Sequence, residues 1–203
     1  MQSLIDHARA FPTRARQSLT GELSGLASGQ SPEAMFITCS DSRVVPTLIT
    51  NTRPGDLFEL RTAGNIVPEY STEYPAGEMA TIEYAVTVLG VRDIIVCGHS
   101  HCGAVGALVR DEDLTGVPAV RGWLERGASP ALRAEEGETP DVAVAVPVQR
   151  HALAQLDRLR AYPCVAERLA DGRLGLHAWY YEVHTGLVLG HRTVGDDALF
   201  LPL

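Results

Sequence analysis

Met35-Phe36-Ile37-Thr38-Cys39-Ser40-Asp41-Ser42-Arg43 decides how this chain is read. Its first four residues are a short apolar run without alternation, which suits a strand buried on both faces. The next five set a thiol, a carboxylate and a guanidinium at the end of that run. A second stretch repeats the plan. Asp93-Ile94-Ile95-Val96-Cys97 reads as another buried strand, and Gly98-His99-Ser100-His101-Cys102-Gly103 follows as its loop.

Outward from these two stretches, strands alternate with helices. Leu57–Leu60 reads as a strand that runs into Arg61-Thr62-Ala63-Gly64-Asn65, where small residues allow close backbone approach. Glu78–Leu89 carries Ile82, Ala85, Val86 and Leu89 at helical spacing, with Gly90 placed to stop it. Short helices are expected over 44–49, 104–109 and 165–170, and a long one over 142–160, where Pro147 marks a first turn or a kink. Residues 111–140 are rich in Gly, Pro and charge and read as loop or small helices anchored by Trp123 and Leu124. Residues 174–183 read as a strand, 184–186 as a turn and 187–189 as its hairpin partner. The pattern predicts one α/β domain over residues 1–203, with a central, mostly parallel sheet flanked by helices. Residues 1–30 form a helical N-terminal arm, with Leu4, Ile5, Ala8 and Phe11 on one side. Open sheets of this kind place sites at the carboxyl ends of their strands, and both clusters lie at such ends.

Composition narrows the function classes. The chain has 203 residues, 45% of them hydrophobic, and a formal net charge of −8. That charge gives no general attraction to nucleic acid or anionic membranes. No apolar run is long enough to span a bilayer, and the N-terminus lacks the long apolar core of an export signal. A cytoplasmic protein is expected. In a reducing compartment the four cysteines point to metal chemistry rather than disulfides.

A catalytic Zn²⁺ site takes thiolates and imidazoles and keeps one position open. Cys39, His99 and Cys102 supply three ligands, one Zn²⁺ per subunit. His101 competes within the same loop, but the His-x-x-Cys spacing favours His99. Cys97 and Cys164 read as packing. His7, His151, His177, His184 and His191 stand outside any motif and read as surface or hydrogen-bonded residues. Two thiolates cancel the charge of the ion, so its water is less acidified than at a three-histidine site. An acceptor is then needed to orient hydroxide. Asp41 serves as that acceptor, and Arg43 holds it ionised.

Cys39-Ser-Asp-Ser-Arg43 together with His99-x-x-Cys102 resembles the paired signature of the β-class carbonic anhydrases. Arg61-x-Ala-Gly-Asn65 and Gly98-His-Ser-x-Cys-Gly103 match as well, and the resemblance runs from about Leu19 to Leu189. Thr62 departs from the family's usual Asn. The resemblance implies reversible hydration of CO₂ to bicarbonate and a proton by attack of zinc-bound hydroxide. Cys39, His99 and Cys102 are then ligands, and Asp41 and Arg43 the catalytic pair. It also implies a substrate pocket of Gln30, Phe58, Ala63, Gly64, Tyr84 and Gly103, as in the plant-like subgroup. In the other subgroup Asp41 would be a possible fourth ligand of a closed site. A homodimer or dimer of dimers is implied, with the N-terminal helix embracing a second subunit. Two other readings use the same site: hydrolysis of a CO₂ analogue (carbonyl sulfide or carbon disulfide), and a zinc-stabilised protein without turnover.

Overall fold

The computed structural model describes residues 1–19, 22–127, 143–195 and 197–203. Helix α1 (Gln2–Ser18) and the short α2 (Glu22–Leu26) precede β1 (Ala34–Cys39). Then come α3 (Pro46–Thr50), β2 (Leu57–Thr62) and a three-ten turn over Ala63–Asn65. Helix α4 (Gly77–Glu83) continues as a π-helical turn, Tyr84–Leu89, that ends at Gly90 in the left-handed region (φ 69°). Next are β3 (Asp93–His99), α5 (Gly103–Val109) and α6 (Pro118–Gly127). The chain closes with α7 (Ala145–Arg160), α8 (Pro163–Ala170), β4 (Gly175–Tyr181), β5 (Val188–Val194) and β6 (Asp197–Pro202).

Among the described residues the strands form one sheet in the order β2-β1-β3-β4-β5-β6. The pairs among β2, β1, β3 and β4 are parallel, and β5 and β6 add antiparallel. From β1 the chain steps to one side for β2 and to the other for β3. The order therefore reverses at β1, and the crevice of such a sheet opens at the carboxyl end of that strand.

All six residues of β1 are buried, as its unbroken apolar run predicts. Alternate side chains feed two faces. Met35, Ile37, Ile94 and Val96 pack with Met79 and Ile82 of α4, with Val86 of the π-helical turn, and with Ala152, Leu156 and Leu159 of α7. On the other face Phe36 sits with Ile95 and Cys97, and its ring meets Trp179 edge-on at 5.8 Å. Burying each large apolar side chain contributes roughly 2 kcal/mol. Two strands side by side, β1 buried throughout and β3 from Ile94 onward, thus fix the level at which Cys39 and His99 emerge.

The expected helices and strands over 35–38, 57–60, 78–89, 93–97 and 104–109 are all present, the first extended at each end to Ala34 and Cys39. Trp123 and Leu124 do anchor a helix, α6. The indole Nε1–H of Trp123 donates to the Ala63 carbonyl at 2.9 Å, and Leu124 is buried. Helix α7 begins at Ala145, so Pro147 lies in its first turn, where the missing N–H costs nothing. The expected start at 142 lies outside the described residues. The hairpin differs most. The expected partner strand of 187–189 extends to Val194, and β6 follows where no strand was expected. These segments are largely exposed, so no apolar alternation marks them.

Candidate metal centre

Strand register brings the two clusters together. Thr38 pairs with Cys97 and Cys39 with Thr62, so Cys39 leaves β1 beside the end of β3. Neighbouring strands lie about 4.8 Å apart. His99 is the last residue of β3, and Cys102 caps α5 after a tight loop in which His101 takes a left-handed conformation (φ 57°). The turn points His101 outward: it is exposed, and its ring meets His184 at 6.1 Å. The metal-ligating atoms of Cys39, His99 and Cys102 lie within 4.8 Å of one another, and all three residues are buried.

The donor chemistry fits Zn²⁺. His99 Nδ1–H donates to the Ser100 carbonyl at 2.9 Å, which leaves Nε2 as a lone pair. That Nε2 is fully buried and has no hydrogen-bond partner among the described residues. An orphaned imidazole nitrogen facing two thiols is costly unless an ion sits between them. The thiols share one proton. The Cys102 thiol donates to Cys39, and the Gly64 N–H points at the same sulfur, so Cys39 is lowered to about 4 and takes the thiolate form. Cys102 keeps the proton and is pushed up accordingly.

Asp41 stands at the edge of this group. Its Oδ2 is 3.9 Å from His99 Nε2. Both carboxylate oxygens are engaged by Arg43: Oδ1 accepts from the backbone N–H and Nε–H at 2.9 Å each, and Oδ2 from Nη2 at 2.7 Å. These bonds hold the carboxyl well below the usual carboxylate range. Arg43 Nη2 also donates to the His101 carbonyl at 3.1 Å and so ties the two loops together. The carboxylate is turned to Arg43, outside the three-ligand group.

Two supports were not legible in the sequence. Arg61 donates to the carbonyls of Cys39 (Nε 3.2 Å, Nη2 3.0 Å), Asp41 (2.8 Å) and Val44 (2.7 Å), and so braces the loop after β1. Its motif suggested only close backbone approach. Second, His151, left outside any motif, is buried in α7 and donates from Nε2 to the Gly64 carbonyl at 2.8 Å. Burial lowers it to about 4, so it is neutral, and Nδ1 accepts from Gln155 Nε2 at 3.4 Å. Thr62 Oγ1, where the family pattern has an amide, donates to the Ile66 carbonyl at 3.0 Å.

The expected pocket residues divide. Gly64 is buried, and its N–H points at Cys39 Sγ (3.4 Å), while Ala63 and Gly103 sit exposed on the loops around the site. Gln30 is exposed and precedes β1. Phe58 pairs with Met35, and its ring lies 6.0 Å from Tyr84. Phe58 is four residues down β2 from Thr62, or about 13 Å at the usual strand rise. These three therefore lie toward the opposite end of the strands from the metal ligands of their own chain.

A mostly parallel α/β sheet that gathers a buried Cys₂His set at its order reversal defines a zinc-binding protein of the α/β class. The carbonic anhydrase family profile matches residues 34–188. The carbonic anhydrase of Pseudomonas aeruginosa is 46% identical over 190 residues, covering 93% of this chain and 86% of its own. Carbonic anhydrase 1 of Escherichia coli O157:H7 is 40% identical over 206 residues, covering 100% and 92%. Among solved structures, the β-carbonic anhydrase CcaA superposes with a TM-score of 0.89 at 39% identity over 99% of both chains. A tetrameric β-carbonic anhydrase of Sordaria macrospora gives 0.73 at 29% identity over 93% of this chain and 94% of its own. The chain belongs to the β-class carbonic anhydrases.

Proposed function

We infer that this chain is a zinc-dependent carbonate dehydratase that interconverts CO₂ and water with bicarbonate and a proton. The observation that carries the reading is the convergence of Cys39, His99 and Cys102 beside an Asp41 locked onto Arg43. Zn²⁺ held there supplies Lewis acidity, which makes a water nucleophilic near neutral pH. The chain's own groups do the rest. Asp41, kept ionised by Arg43, accepts a hydrogen bond from the attacking water and fixes its direction. Gly64 and Ala63 hold the loop close, and the backbone near Gly103 offers an N–H to a substrate oxygen.

Gln30, Phe58 and Tyr84 complete the pocket from a second subunit. Their place at the far end of their own strands supports this, since one chain cannot bring them to its own metal. Helix α1 exposes Leu4, Ile5 and Phe11, an apolar face suited to a second copy. Dimers pair further into tetramers, the state named for the Sordaria relative. With the dyad formed, the fourth metal position stays open, as in the plant-like subgroup, and Asp41 is not a ligand in this state. No helix among the described residues is long and apolar enough to cross a membrane, and the four free cysteines suit a reducing cytoplasm.

The relatives lend no support to a CO₂-analogue hydrolase or a structural zinc protein; those named above are carbonic anhydrases. Stopped-flow CO₂ hydration on the zinc-loaded protein tests the reading, with carbonyl sulfide hydrolysis run alongside. Rapid hydration is expected. One zinc per chain with sulfide hydrolysis and no hydration would overturn it.

A further inference from the structure

Helix α7 grips the loop after β2 with three side chains spaced i, i+4, i+7 on one face. His151 Nε2 donates to the Gly64 carbonyl at 2.8 Å. Gln155 Oε1 accepts from the Val67 N–H at 2.8 Å, and Arg158 Nη1 donates to the Val67 carbonyl at 3.1 Å. From α6, the Trp123 indole donates to the Ala63 carbonyl at 2.9 Å. The Ala63 carbonyl and the Gly64 N–H belong to one peptide plane, and the Gly64 carbonyl belongs to the next. Trp123 and His151 thus fix the two planes on either side of Gly64.

Gly64 needs such fixing. It sits at φ +72°, and a Cβ there would meet Ala104 Cβ at 3.0 Å. Glycine has the freedom to adopt this conformation and equal freedom to leave it. Held from both sides, its N–H faces Cys39 Sγ at 3.4 Å. The cost is visible in the core: His151 and Gln155 are fully buried polar side chains in a helix otherwise packed by Ala152, Leu156 and Leu159. Gln155 Nε2 also reaches the Gly127 carbonyl of α6 at 3.4 Å. Apolar residues would serve packing better, so two buried polar groups that meet each other and reach out to this loop point to a role beyond packing.

We propose that His151, seated by Gln155 and assisted by Trp123, is a positioning residue of the metal centre: it aims the Gly64 N–H at the Cys39 thiolate and so sets how strongly that sulfur donates to the metal. An N–H bonded to a thiolate draws charge from the sulfur and leaves the metal a stronger Lewis acid. The proposal rests on the reading of Cys39 as a zinc ligand.

Cobalt(II) substitution tests both separately, because thiolate-to-cobalt charge transfer absorbs where the protein does not. His151→Leu removes the donor, His151→Gln keeps an N–H, and Leu156→Ala makes a cavity on the same helix without removing a hydrogen bond to the loop. Expected for His151→Leu is a charge-transfer band moved to lower energy, as the sulfur donates more strongly. Metal binding in chelator competition should be about tenfold weaker, because Cys39 loses its fixed setting and its more basic sulfur holds a proton more tightly. His151→Gln should restore much of both, and Leu156→Ala should lose stability while keeping the wild-type band and affinity. If His151→Leu does not fold, Trp123→Phe deletes only the partner of the Ala63 carbonyl and should move the band the same way. His151→Leu matching Leu156→Ala in band and affinity, or Trp123→Phe leaving the band in place, overturns the proposal. A wild-type protein without a thiolate-to-cobalt band would instead overturn the metal-centre reading and this proposal with it.

Discussion

The carboxyl ends of β1 and β3 and the outer edges of the molecule are built on opposite terms. At the strand ends almost every group is fixed from several directions. Arg61 binds three carbonyls, Arg43 spans both loops, and His99, Ser100 and Cys102 are buried. At the edges α1 buries only Ala15 of its seventeen residues, and β6 has no buried residue. A helix with an unpartnered apolar face draws little stability from its own chain. The contrast teaches that one chain brings the three metal-ligating groups together by itself, while its edges carry apolar residues it does not bury.

The largest expected effect falls on the rim. Asp41→Asn keeps the size of the side chain and removes the charge Arg43 holds. Turnover should fall by about 10²–10⁴-fold with one zinc per chain retained. Full activity with zinc confirmed would remove Asp41 from the mechanism. A second effect tests how dry the support under the rim is. His151 is lowered from 6.5 to about 4 by burial, so the unfolded chain binds more protons than the folded one between those values. Its contribution is complete above pH 6.5 and is lost as pH falls toward 4, a difference of about 3 kcal/mol. Urea unfolding of wild type and His151→Gln across that window should diverge by that order; parallel curves would place water at the imidazole. The smallest effect on the chain itself is expected at the edge. Deleting residues 1–18 should shift a dimer toward monomer by sedimentation while leaving zinc content unchanged. Loss of zinc on deletion would mean that the two regions are coupled and would break the comparison.

The same contrast explains what the sequence disclosed. Cys39, Asp41 and Arg43 are legible because they crowd into one loop after an apolar run, and His99 and Cys102 because their spacing is that of a ligand pair. Strands β1 and β3 are legible because burial on both faces forces continuous apolar runs. Strand β6 is not, because a largely exposed edge hairpin carries no such pattern. His151 is missed for another reason. Its partner is a backbone carbonyl 87 residues away, and no residue type marks a carbonyl. Arg61 is half-seen, as a motif whose bonds go to backbone oxygens of a distant loop.

The central claim is a Cys₂His metal centre with an open fourth position. X-ray absorption at the zinc edge of the loaded protein tests it most directly. Two sulfur scatterers at about 2.3 Å with light atoms at about 2.0 Å are expected. Four sulfurs, or nitrogen and oxygen alone, would contradict it.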